Sequence, residues 1–121
     1  MNRIKLALLT TVAVIASFAS LAAVAQSATT AQTIRVTELS YSIRFSAKPK
    51  AGTVKFIVKN ASGDDHDFVL RGGGKTVKTR VLGRLGSATL TTKLKKNVRY
   101  TFWCAVDDHR SEGMSGSFVA R

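Results

Sequence analysis

From Ile34 to the end of the chain, apolar side chains recur at every second position in short runs, and each run is stopped by turn residues. A repeat of two places alternate side chains on opposite faces of an extended strand, so such runs predict half-buried β-strands. Ile34 and Val36 form one such set. Tyr41, Ile43 and Phe45 alternate with Ser42, Arg44 and Ser46, and Val54, Phe56 and Val58 share a face opposite Lys55 and Lys59. Further extended segments are read at His66–Leu70, Thr76–Leu82, Ser87–Leu94, Val98–Cys104 and Met114–Ala120. The breaks are Lys48-Pro49-Lys50-Ala51-Gly52, the Asn60–Asp65 stretch, the triple glycine at 72–74, and Lys95-Lys96-Asn97. Seven to eight short strands with turns between them, and no helical period, predict an all-β, Greek-key antiparallel β-sandwich.

The first residues follow another logic. Met1-Asn2-Arg3-Ile4-Lys5 is cationic, Leu6 to Val24 carries no charge, and Ala23-Val24-Ala25 offers a small-residue cleavage site. This order predicts a secretory signal peptide over 1–25, removed on export to a periplasmic or extracellular space, with no stable membrane insertion afterwards. No twin-arginine pair occurs, which favours the general secretory route. Residues 26–33 are small and polar and read as a flexible lead-in, and 34–121 form the single domain.

Cysteine use narrows the possibilities further. Cys104 is the only cysteine, so no internal disulfide can staple this small exported domain. A lone thiol in an oxidising compartment is a liability unless it is buried or coordinated. Apart from Met1, the chain holds two histidines, one cysteine and one methionine: His66, Cys104, His109 and Met114. Three of the four fall within Cys104-Ala105-Val106-Asp107-Asp108-His109-Arg110-Ser111-Glu112-Gly113-Met114. Thiolate, thioether and imidazole together suit copper in both oxidation states, and His₂Cys with a weak axial Met is the donor set of a blue-copper electron-transfer site. Zinc would more usually draw on additional Cys or His and not on Met.

The run Tyr100-Thr101-Phe102-Trp103-Cys104, followed by the spacing C-x₄-H-x₄-M, resembles the C-terminal copper loop of the cupredoxins of plastocyanin and azurin type. Val54–Asn60 with His66–Leu70 is similar to the family's segment bearing the first histidine, and Gly113–Phe118 also fits. The resemblance implies one type 1 copper ion, with His66, Cys104 and His109 as equatorial ligands and Met114 axial. It further implies that Asn60 braces the copper loop, and that a redox partner protein exists. Asp107-Asp108 stand where many relatives carry Pro-Gly or Ser-Pro, which makes the surroundings of His109 polar.

The function expected is a one-electron carrier; the alternative is a copper-binding module for storage, delivery or sensing. An enzyme is not expected, because multicopper oxidation needs more histidines and no G-x-S-x-G nucleophile context is present. The net charge is +12, or +10 without Arg3 and Lys5, and six of the seven acids cluster beside the two histidines. If those loops meet, one pole is acidic and the body basic. The cations spread over most strands instead of forming a stripe, which argues against an anion-polymer surface, and no nucleic-acid partner is expected.

Overall fold

The computed structural model describes residues 22–25 and 29–121. Most of the expected signal peptide and part of the lead-in, 1–21 and 26–28, lie outside the described residues. No helix among those described is long and apolar enough to cross a membrane.

Eight strands build two four-stranded sheets: β1 (Gln32–Leu39), β2 (Ser42–Phe45), β3 (Gly52–Asn60), β4 (Val69–Gly72), β5 (Lys75–Lys78), β6 (Ser87–Leu94), β7 (Val98–Trp103) and β8 (Ser115–Ala120). One sheet has the order β2-β1-β3-β6 and the other β5-β4-β7-β8. β1 takes in Gln32 and Thr33, two residues read from sequence as lead-in. The Gln32 side chain ties that end down by bonding Lys50 N and the carbonyls of Lys50 and Ala51.

The sandwich is not wholly antiparallel: β1 and β3 pair in parallel, with Val36 opposite Val58. The reason is the connection. β2 returns along one edge of β1, and residues 46–51 then carry the chain to the other side of β1, so β3 runs in the direction of β1. A second departure concerns His66. It lies outside the long strands, in an isolated antiparallel bridge to Leu82, with His66 N donating to Leu82 O at 3.1 Å and Leu82 N donating back.

The period-two residues face one another across the sandwich. Ile34, Val36, Val54, Phe56, Val58 and Leu94 meet Phe68, Leu70, Tyr100, Phe102 and Phe118 in one core. Phe45 sits at the centre of an aromatic cluster, 4.7 Å between centroids from Phe102 and 6.0–6.2 Å from Phe56, Phe68 and Phe118. Each such side chain contributes about 1.5–3 kcal/mol by leaving water. This packing makes a stiff frame, and its strand ends hold the loops that carry the chemistry.

Candidate metal centre

Cys104 follows the last residue of β7, so its position comes from the β4-β7-β8 ladder beneath it. The loop it opens is closed by backbone bonds. Cys104 N donates to Met114 O at 3.0 Å, and Met114 N donates to His109 O at 3.0 Å. Inside the loop the chain coils tightly: His109 N reaches Val106 O, and Ser111 Oγ donates to Asp108 O at 2.7 Å. Asp107 takes a left-handed φ of 44° and Gly113 one of 111°, the latter a conformation suited to glycine. Met114, at the end of the loop, is fully buried.

Asn60 positions the other segment. Its Nδ2 donates to Leu82 O at 2.8 Å and to Asp64 O at 2.6 Å, and its Oδ1 accepts from Ser62 N and Ser62 Oγ. The brace therefore runs to the segment leading to His66 and to its bridge partner Leu82. The bonds of the Asn60 side chain do not go to residues 104–114, where the family resemblance located the brace. That link is made instead by Asp67, whose Oδ1 accepts from Ala105 N at 2.6 Å.

These ties bring the donors together. His66 Nδ1 and His109 Nδ1 lie 3.1 Å apart, and Cys104 Sγ lies 3.7 Å from the first and 3.6 Å from the second. Among the described residues, these three form the one metal-competent cluster of His, Cys and carboxylate donors. The point equidistant from the three atoms is about 2.0 Å from each, against typical ion distances of about 2.0–2.1 Å to imidazole nitrogen and about 2.3 Å to thiolate. Three donors so spaced could hold one ion within bonding distance of all of them.

The electrostatics agree. Burial first, and His109 second, lower the pKa of His66, outweighing the pull of Asp64, Asp65 and Asp67; the ring is kept neutral, as a ligand must be. Burial pushes the Cys104 thiol up, offset in part by hydrogen bonds from the backbone at Asp67 and Val106. A thiolate in that spot requires a positive charge beside it, which a coordinated cation supplies. The donor set and its spacing fit a copper ion.

Three neighbours of the centre carry no sequence motif. Tyr41, in the β1–β2 turn at φ 59°, sets its ring nearly perpendicular to that of His109 with centroids 5.5 Å apart. Glu38 is wholly buried, and neither carboxyl oxygen has a hydrogen-bond partner. Asp67 is hidden in sequence among exposed loop acids. The remaining acids, Asp64, Asp65, Asp107, Asp108 and Glu112, are exposed on the two segments that meet here, so this pole is acidic.

No protein-family model and no curated protein matches the chain. Solved structures do match. The chain resembles a dithionite-reduced auracyanin from Roseiflexus castenholzii, with a TM-score of 0.63, 21% identity, and coverage of 75% of this chain and 98% of the other. It resembles auracyanin A, a "blue" copper protein from Chloroflexus aurantiacus, with a TM-score of 0.61, 18% identity, and coverage of 74% and 98%. It also resembles a multicopper oxidase, with a TM-score of 0.60 and 12% identity, covering 74% of this chain and 44% of that one. The sheet order, the parallel β1–β3 pair and these likenesses together identify the architecture as the cupredoxin-like β-sandwich.

Proposed function

We propose that the chain is an exported one-electron carrier that holds a single type 1 copper through His66, Cys104, His109 and Met114. The observation that carries this reading is the triangle of His66 Nδ1, His109 Nδ1 and Cys104 Sγ, with sides of 3.1, 3.6 and 3.7 Å. Copper bound there would supply the Cu(II)/Cu(I) couple. The chain's part is to keep the donors still. Cys104, His109 and Met114 are tied to one another by backbone bonds, and His66 is tied to Leu82 by a two-bond bridge, so little rearrangement would accompany a change of charge. His109 is 8% exposed and His66 and Cys104 are sealed, which leaves the His109 edge as the route outward for an electron. The acidic pole around it favours a partner with a cationic docking face. The pattern of residues 1–25 supports export.

The test is to load the purified chain with Cu(II) and record visible and EPR spectra, then cyclic voltammetry. An intense thiolate-to-copper band, abolished in Cys104→Ser, with a reversible one-electron couple is expected. Absence of that band would overturn the site; a band without a reversible couple, with copper passing readily to a chelator, would favour storage or delivery.

A further inference from the structure

The outward face of the β2-β1-β3-β6 sheet carries five cations, Arg35, Arg44, Lys55, Lys59 and Lys93, and no Asp or Glu. All five are exposed. In sequence these cations look scattered, but the register orders four of them. Arg44 lies opposite Thr37, two residues from Arg35. Arg35 lies opposite Ile57, two residues from Lys55. Lys55 lies opposite Thr91, two residues from Lys93. Each step therefore moves one strand across and two residues along, which is about 8 Å, and the four cations draw a diagonal of roughly 25 Å. The positions between them are mostly threonine and serine, including Thr33, Thr37, Thr89 and Thr91.

We propose that this diagonal binds a linear acidic polysaccharide. A straight row of spaced cations complements spaced carboxylates on a chain, and the intervening hydroxyls complement sugar hydroxyls. The face lacks the aromatic platforms on which unpaired bases stack. Its apolar members, Ile57 and Leu39, are half-buried, so it also lacks the projecting anchors of a bilayer-binding surface. The exposed acids sit at the other feature of the molecule, the metal pole, and repel a polyanion from it. A polymer held on the sheet leaves that pole free.

The full chain is titrated with sodium alginate at low ionic strength, beside oligothymidylate of equal charge and vesicles of phosphatidylcholine with phosphatidylglycerol. Replacing Arg35, Arg44, Lys55 and Lys93 by Gln should weaken alginate binding by about tenfold or more and flatten its salt dependence, by loss of counterion release. The same change of net charge made at Lys75, Lys78, Lys96 and Arg121 should alter it by less than about twofold. Arg35→Glu alone, at the middle of the row, should reproduce most of the loss. Equal losses in both quadruple variants, no alginate binding, or tighter binding to the oligonucleotide or the vesicles would overturn the proposal. None of these readouts depends on copper.

Discussion

Glu38 offers the sharpest test of the physical reasoning. It points inward from β1, is wholly buried, and both its oxygens lack partners. Burial, and after it the charge of Asp67, raises its pKa from 4.5 to about 7. The native state therefore holds this proton more tightly than the unfolded chain does. Its contribution to stability is complete below pH 4.5 and is lost as pH rises to about 7, with no further change above. A shift of that size corresponds to about 3 kcal/mol. Glu38→Gln keeps the shape and removes the titration. Urea unfolding of the metal-free chain and of Glu38→Gln should be compared across that window. The difference in unfolding free energy should change by about 3 kcal/mol in favour of the variant as pH rises, a relative shift in Tm of more than about 10 °C. His66 pulls the other way, because its neutral form is favoured in the fold and its contribution is lost as pH falls below 6.5. Both proteins share that effect, so the difference isolates Glu38. Parallel stability curves for the two proteins would refute the assignment of a raised carboxyl.

Other perturbations test the supports of the site. Asn60→Ala leaves Ser62 N unpaired and takes one of two donors from Leu82 O, which keeps His66 N, and from Asp64 O, which keeps Ser62 Oγ, and should cost about 1–3 kcal/mol in urea unfolding. A Cβ on Gly116 would lie 2.5 Å from Phe102 Cζ, so Gly116→Ala should cost about 1–3 kcal/mol of stability in the same assay by overpacking. In the metal-free chain, Asp67→Asn removes a carboxylate that raises the Cys104 thiol while keeping an oxygen for Ala105 N. The ultraviolet absorbance of the thiolate should then appear at lower pH than in the parent.

Much of the fold was legible because its cause is local. Alternation at Val54, Phe56 and Val58 and at Val98, Tyr100 and Phe102 follows from the two-residue repeat of a strand and needs no knowledge of partners. β6 was read with its observed bounds for the same reason. The parallel β1–β3 pair was not legible, because pairing direction depends on how residues 46–51 cross the sheet. The donor set stood out because the chain carries so few soft ligands. Asp67, Tyr41 and Glu38 did not, since their roles come from neighbours distant in sequence.

By itself, the order of residues determined which segments are extended, where they turn, and which four side chains have the chemistry to hold a soft metal ion; these depend on side-chain type and spacing within a few residues. Only the tertiary structure decided that His66 and His109 face each other across a 3.1 Å gap, that Asp67 and not Asn60 links the two donor segments, and that Arg44, Arg35, Lys55 and Lys93 fall into line. Distances between segments far apart in the chain are set by sheet register and core packing, and no local pattern encodes them.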